Sequence, residues 1–403
     1  MERHVRQQAK AKVIWESFGD LHFQDIIIPM TTPPRHHIVI DARIRRSSTG
    51  RYVDRLLEHL QDIDSYHKYT ILTQPDDQWK PKNKNFHAVP CRYAQFSLNP
   101  IEQFGFAAQL YGLKPDLVHF TMSQQPLPYV GNIVTTSHDT TMYYFVRRGS
   151  TPLLFYKIKI GLYRFLVWQA HVKSKKIIVP TRTVAKEFIK LQPFIKKKIA
   201  VTYEASEPPL SVRAEHPKGV DGDFIMYVGT AFPHKNLPKL IEAFDILHAQ
   251  RPKLKLVLAG KHEKHYFELI EWARTRPSFE SIIFTGFVSD AELKWLYQHC
   301  RAYVFASLSE GFGLPALEAM AHGAPVVLSN ASCLPEISGD AGHYFNARQP
   351  HDIAEKVGEV LDDAELRSQL IAKGYKQLKK YSWRTMAEET MTVYKAALGE
   401  ESE

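Results

Sequence analysis

Two acids with seven residues between them, Glu310 and Glu318, stand in the run Ser309-Glu310-Gly311-Phe312-Gly313-Leu314-Pro315-Ala316-Leu317-Glu318. The run follows an apolar segment, Ala302 to Ser307, and opens a helical pattern that reaches about His322. Glycines at 311 and 313 let backbone amides come close to a ligand. A helix that starts here offers free N–H groups to a phosphate or a sugar oxygen. Glu310, in the loop, can reach sugar hydroxyls. Glu318, about one and a half turns into the helix, can accept two hydrogen bonds from a ribose diol. A bare Gly-x-Gly reads equally as a turn; both acids at this spacing argue for a site.

Three further runs carry chemistry. In Val228-Gly229-Thr230-Ala231-Phe232-Pro233-His234-Lys235-Asn236, a strand, a glycine turn and a helix follow one another, with Leu237, Leu240, Ile241 and Phe244 on the helix. Lys235 is a point charge placed where a diphosphate can lie, able to stabilise negative charge as a nucleotide leaves. Taken alone it reads as a surface lysine near a helix start. Thr135-Thr136-Ser137-His138-Asp139 ends a strand, where a histidine faces the cleft of an α/β fold and can bond a sugar hydroxyl or an acceptor. The alternative is a core histidine. Asp41-Ala42-Arg43 through Ser47-Ser48-Thr49-Gly50-Arg51-Tyr52 is a small-residue loop at a helix start, able to hold a phosphate or simply to turn.

The elements that must position these residues alternate along the chain. His37 to Asp41, Tyr69 to Leu72, Leu117 to Phe120, Ile133 to Thr136 and Lys176 to Val179 read as buried strands, with a helix over Val53 to Leu60. Residues 206–221 are polar and rich in Pro and Gly, and read as a linker. After it come strands at Phe224–Val228, Leu254–Leu258, Ile282–Phe284, Ala302–Phe305 and Pro325–Leu328, then three helical stretches from about 351 to 398. Ser289-Asp290-Ala291-Glu292 reads as a capping box. Short strands apolar on both faces and separated by helices predict parallel sheets covered on both sides. The expected organisation is an arm over 1–34, a first Rossmann-like domain over 35–205, the linker, and a second such domain over 222–382. The two doubly wound α/β domains would face each other across a cleft. Ligands of such sheets bind outside the carboxyl ends of the strands.

A chain of 403 residues is long for one domain and comfortable for two. It holds no stretch of about 18 uncharged apolar residues, and its polar start resembles no secretory signal. Three cysteines far apart, Cys91, Cys300 and Cys333, suit a reducing cytosol. The net charge of +9 is uneven: residues 1–205 hold 30 basic against 16 acidic residues, the remainder 22 against 27. Residues 151–200 alone hold 12 basic residues and one acid, Glu187. That asymmetry predicts an anionic partner. The helical pattern over 152–176 places Lys157, Arg164 and His171 on one face, suited to an anionic bilayer and a lipid-linked acceptor. The alternative is a helix packed on its own sheet with a solvated basic edge. No nucleic-acid motif accompanies the charge.

Together these residues resemble the family 4 glycosyltransferases, retaining enzymes of the two-domain GT-B architecture. The resemblance covers about 37 to 398. It rests first on the Glu310 to Glu318 run and its continuation through Ala-His-Gly-Ala-Pro-Val-Val. Tyr227-Val228-Gly229, Pro233 to Leu237, Phe284-Thr285-Gly286-Phe287-Val288, Leu334-Pro335-Glu336-Ile337, Gly339 to Gly342 and Ser382-Trp383 support it, and Thr49 to Tyr52 and His138-Asp139 match more weakly. The resemblance implies that Glu318 binds the ribose of a GDP- or UDP-sugar. It implies that Glu310, with the amides of Gly311, Phe312, Gly313 and Leu314, holds the donor sugar and diphosphate. Lys235 would bind the diphosphate. Gly50, Arg51, Gly229, Thr230 and His234 would line the donor site, and Phe287 and Val288 would lie beside the base. His138 and Glu310 are the residues it places at the reacting carbon. It implies a metal-free, cofactor-free hexosyl transfer to a glycan or lipid-linked acceptor, in the cytoplasm or on the inner face of the membrane. The last helix, about 383–403, would cross back onto the first domain. One departure stands out. Relatives usually carry an Arg just after the glycine or just before the lysine, where this chain has Thr230 and His234. A neutral histidine gives one hydrogen bond and no charge, so the diphosphate clamp is expected to be weaker or pH-dependent. Three other readings stay open. Two are enzymes on the same scaffold, a nucleotide-sugar epimerase and a sugar phosphorylase; the third is a non-catalytic protein of anionic surfaces.

Overall fold

A computed structural model describes residues 35–47, 49–95, 97–145, 153–207 and 210–400. The expected arm over 1–34 lies outside these residues, as do Ser48 of the first loop and Pro208 and Pro209 of the linker. His36 to Glu403 form one compact unit, and within it two parallel sheets lie in succession along the chain.

The first sheet has the order β3-β2-β1-β4-β5-β6-β7. Its strands are β1 (His37–Asp41), β2 (Lys68–Thr73), β3 (Phe86–Pro90), β4 (Leu117–Phe120), β5 (Ile133–Thr136), β6 (Lys176–Val179) and β7 (Ile199–Val201). Between them run α1 (Gly50–Ile63), α2 (Pro100–Leu113), α3 (Thr141–Tyr144), α4 (Leu153–Lys173) and α5 (Arg182–Leu191). The second sheet has the order β10-β9-β8-β11-β12-β13. It is built from β8 (Phe224–Val228), β9 (Lys255–Ala259), β10 (Ile282–Gly286), β11 (Ala302–Phe305), β12 (Val326–Ser329) and β13 (Gly342–Phe345). Its helices are α6 (Leu237–Gln250), α7 (Lys264–Ala273), α8 (Asp290–His299), α9 (Leu314–Ala321), α10 (Leu334–Ser338), α11 (Pro350–Asp362) and α12 (Ala364–Leu378), and α13 (Trp383–Leu398) ends the described chain.

Central strands such as Phe224 to Tyr227 and Tyr303 to Phe305 are buried throughout, as strands covered on both faces must be. The sequence reading missed β3, β7 and β13. All three are edge strands; β3 is mostly exposed, β7 has three residues, and β13 opens on a glycine. Edges need no continuous apolar run, so their signal is weak. The capping box of α8 is present: the Glu292 amide donates to Ser289 Oγ at 3.2 Å and the Ser289 amide to Glu292 Oε2 at 2.8 Å.

The final helix shares a core with the first sheet. Trp383, Met386, Ala387, Tyr394 and Ala397 pack among Tyr52, Val53, Leu56 and Tyr69. Tyr394 Oη lies 2.6 Å from His119 Nδ1, inside the first domain. Between the sheets, Lys294 of α8 donates to the carbonyls of Leu210 and Val212, so the connecting segment is fastened to the second domain.

Candidate functional site

Strand order reverses direction between β8 and β11, which places a ligand crevice at their carboxyl ends. Two loops meet there. After β8, Gly229 turns with φ 145°, and a Cβ on it would stand 2.7 Å from Tyr227 Oη. A single 3-10 turn, Pro233–Lys235, then ends at Asn236 with φ 59°. Asn236 holds that left-handed conformation by donating its side-chain amide to Ala306 O and Ala347 O. The loop after β11 is stitched to the same turn, since the Leu308 amide donates to His234 O at 2.7 Å. The result is an ion pair: Lys235 Nζ lies 2.6 Å from Glu310 Oε1, both side chains mostly buried, with the ammonium 5.2 Å from the Phe305 ring centre. α9 starts four residues beyond Glu310, from Gly313 at φ 95°. A lysine, a carboxylate and a helix N-terminus thus converge on one small volume.

Around the crevice the side chains of the other expected donor residues differ in burial. His234 is buried, its ring near those of Phe145 and Phe232. The Phe312 side chain belongs to the core, against Tyr203 and Tyr381. Thr230 is exposed and its carbonyl accepts from Tyr227 Oη. Phe287 is 81% exposed, free to lie against a planar group, and Val288 is half-buried beneath it in sequence. Leu314 is half-buried at the start of α9.

Glu318 is not an open carboxylate. Arg51, from the first turn of α1, forms an ion pair with it across the cleft. Gly50 starts that helix in a place where a Cβ would lie 2.7 Å from Ile44 O, so the loop folds back tightly on itself. Asp41 and Arg43, also in that region, are occupied structurally. Arg43 is buried, donating to both Asp41 oxygens at 2.7 Å and lying over Phe106.

His138 does reach the cleft, through its backbone. A Cβ added to Gly311 would stand 2.3 Å from His138 O, so the second domain's glycine loop touches the first domain here. The imidazole turns inward: Nε2–H donates to Thr121 O at 2.9 Å and Nδ1 lies 3.6 Å from Glu204 Oε1. Burial pushes this imidazole down, but the Glu204 carboxylate and the Thr121 carbonyl outweigh it and the net shift is upward. The fold therefore holds the ring's proton more tightly than water does, and that gain is lost as pH rises through the raised value. Glu204 escaped the sequence reading because β7 did. An acid three residues past a strand's end is a readable signal only once the strand is seen.

The two domains meet through further polar contacts. Thr181 Oγ1 donates to Gly311 O at 3.2 Å, and the hydroxyls of Thr141 and Ser309 lie 3.1 Å apart. Glu336 of α10 makes the most: it accepts from the Arg182 and Thr183 amides at 2.8 Å each, Thr183 Oγ1 at 2.6 Å and Tyr203 Oη at 2.8 Å. It therefore caps α5 of the other domain, where a carboxylate also meets the helix dipole. Burial pushes this carboxyl up, yet the four donors hold it net below its ordinary range. A depressed carboxyl contributes stability above its unfolded pKa and loses it as pH falls through the folded one. Glu336→Ala is expected to destabilise the protein by about 2–3 kcal/mol at neutral pH. That difference should shrink in strong acid, where the wild type loses the same charge. Thermal unfolding at neutral and acid pH checks this; a pH-independent difference contradicts it.

Two family models match the chain in succession. The glycosyl transferases group 1 family matches residues 211–377, and the Glycosyltransferase Family 4 model matches 49–205, so the two account for most of the chain. An O-antigen chain mannosyltransferase B of Escherichia coli is 36% identical over 176 residues, 43% of this chain and 45% of that protein. A serotype-specific mannosyltransferase of Escherichia coli is 32% identical over 219 residues, 53% of this chain and 26% of that protein. The chain thus spans less than half the length of these curated relatives. Among solved structures, a sucrose-phosphate synthase from Thermosynechococcus elongatus superposes with a TM-score of 0.68 at 16% identity, covering 91% of this chain and all of that one. At that identity the likeness is one of fold: two Rossmann-like domains, as predicted.

Proposed function

The chain belongs to the group 1, family 4 glycosyltransferases, and from that premise we propose that it moves mannose from a nucleoside-diphosphate mannose onto a glycan, retaining the anomeric configuration and using no metal. The observation that carries the reading is the meeting of Lys235, Glu310 and the α9 N-terminus at the β8/β11 crevice. In this reading Lys235 and the α9 amides take the diphosphate, and the charge they supply is what the leaving nucleotide requires. Glu310, released from Lys235, accepts bonds from donor-sugar hydroxyls. Glu318 exchanges Arg51 for the ribose diol. Phe287 lies beside the base. The His138 backbone closes the cleft on the acceptor side, and the leaving phosphate takes the acceptor's proton, so no strong protein base is needed. The mannosyl specificity leans on the two curated relatives, both mannosyltransferases by name.

The same reading puts the enzyme at an anionic membrane surface, in a corrected form. His171 is not part of a basic face: it is fully buried, bonded to Ser137 and Gln192, and desolvation drops its pKa to about 4. The outward side of α4 is instead apolar. Leu154, Phe155, Ile158, Leu162, Phe165, Trp168 and Val172 are between 36% and 68% exposed, opposite the buried Tyr156, Ile160, Val167 and Ala170. Exposed Lys157 and Arg164 flank that ridge on one side and Lys159 on the other. An apolar ridge edged by cations fits the interface of an anionic bilayer. No helix among the described residues is long and apolar enough to cross one. One experiment covers both halves: nucleoside-diphosphate mannose, an oligomannose acceptor and anionic vesicles are incubated with the protein. An extended glycan and co-flotation with the vesicles are expected. Isomerised donor without extension contradicts the transfer, and protein left wholly in the soluble fraction contradicts the membrane docking.

A further inference from the structure

Beneath the contact between Gly311 and His138 lies a buried ion pair. His138 presents both ring nitrogens to acceptors: Nε2 lies 2.9 Å from Thr121 O, and Nδ1 3.6 Å from Glu204 Oε1. The two side chains are only 13% and 8% exposed. A carbonyl and an ionised carboxylate can only accept, and a neutral imidazole carries a single N–H. Either neutral tautomer therefore turns a lone pair toward one of the two oxygens. Only the imidazolium satisfies both. The surroundings leave its charge to Glu204. Tyr52 of α1 packs edge-on against the ring, with the centres 5.0 Å apart, and burial raises its hydroxyl pKa, so it stays neutral. Tyr52 Oη lies 3.1 Å from Thr136 Oγ1, which lies 2.8 Å from His119 Nε2, and His119 Nδ1 lies 2.6 Å from Tyr394 Oη of α13. Burial first, and the charge of His138 second, push the His119 imidazole down to about 3, so this floor is neutral as well. Asp139, on the same loop, also favours the charged ring, but its Oδ1 accepts from Thr141 N at 2.8 Å. Among the described residues, Glu204 is the carboxylate within ion-pair distance of the ring.

The pair reaches the cleft through the backbone. The His138 carbonyl is what Gly311 packs against, since a Cβ on Gly311 would stand 2.3 Å from it. The side chain of the same residue is held at both nitrogens, so that carbonyl cannot shift far without breaking one of the two contacts. We propose that Glu204 is a positioning residue of the transfer site: its carboxylate keeps His138 an imidazolium anchored on Thr121 O, and that anchor fixes the His138 carbonyl against Gly311. The assignment rests on the glycosyl-transfer reading above and adds to it the group that sets the cleft contact. The titration of His138 agrees: burial opposes a charged ring, and Glu204 leads the groups that reverse it. Deprotonation would leave a buried carboxylate facing a lone pair, which drives ring and loop away from it. The contact is therefore firm below the His138 titration and loosens as pH rises through it.

Wild type, Glu204→Gln and Glu204→Asp are compared on two readouts. One is the imidazole NMR titration, with His138→Gln identifying the His138 signal. The other is the pH profile of kcat for transfer from nucleoside-diphosphate mannose to an oligomannose acceptor. Glu204→Gln keeps the shape and removes the charge, so the His138 titration should move to lower pH, and the basic limb of kcat should move down with it. Between the two titrations kcat should fall by up to about 10²-fold, the cost of a small misplacement at a reacting centre. Donor KM should change far less, and at lower pH kcat should return toward the wild-type value. Glu204→Asp, which keeps the charge, should hold both curves nearer the wild type. A loss of kcat that is equal at every pH, or a kcat profile that stays while the imidazole titration moves, overturns the positioning role. A His138 titration that does not move overturns the pair itself. Where no variant transfers sugar, amide hydrogen exchange of residues 138–141 gives the answer. Faster exchange in Glu204→Gln above its shifted titration then keeps the positioning role while the transfer reading falls, and equal exchange removes it.

Discussion

Lys235→Ala is expected to lower kcat for sugar transfer by about 10²–10³-fold, the usual effect of removing one preorganised group that stabilises developing negative charge. The structure gives a reason to expect more than a lost surface charge. Lys235 Nζ and Glu310 Oε1 are 2.6 Å apart and both side chains are largely shielded. Removing the lysine strands the carboxylate, and breaking such a pair costs up to about 3–5 kcal/mol where burial is complete and less here. A second variant separates the two effects. Lys235→Ala combined with Glu310→Gln should recover much of the lost stability, because the stranded charge is gone, but none of the lost kcat. Thermal unfolding and steady-state kinetics on the same preparations measure this. Recovery of kcat in the double variant would show that the lysine served only to neutralise Glu310.

Gly311→Ala is expected to be nearly as damaging by a different route. The added methyl would lie 2.3 Å from the His138 carbonyl, and backbone cannot move aside as a flexible side chain can. The two domains would have to separate at the contact that, in the proposed reading, closes the cleft on the acceptor side. A misplacement on the order of 1 Å can cost about 10²-fold in rate. The Lys235 site lies wholly in the second domain, so donor KM should change far less than kcat. A variant that keeps the wild-type kcat would mean that the contact between Gly311 and His138 is not part of the working state.

What could be read from sequence follows from where the signal sits. The Glu310 to Glu318 run and the Lys235 turn are local: a strand, a glycine and a helix start lie within a few residues, and the ion pair joins two such loops at neighbouring strand ends. The central strands are also local, because burial on both faces writes an uninterrupted apolar run. Contacts between domains leave no such trace. Nothing near Glu336 announces that it caps a helix some 150 residues earlier, and nothing in Arg51 announces that it reaches Glu318. His171 shows the limit of helical spacing: it shares a heptad position with Lys157 and Arg164, yet the helix turns that flank toward β5 and buries it. His234 is a related case. Its place beside Lys235 suggests a weak phosphate ligand, but its ring is buried near those of Phe145 and Phe232. In the proposed reading the clamp therefore falls to Lys235 and the α9 amides.

Equilibrium binding of nucleoside-diphosphate mannose to the wild type, Lys235→Ala and Glu318→Ala tests the central claim most directly. At about 100 times Kd the ligand should stabilise the wild type by roughly 2.7 kcal/mol, with both variants losing most of that shift. Wild-type protein that is not stabilised, or variants stabilised as much as the wild type, would contradict a donor site built on the β8 turn and α9.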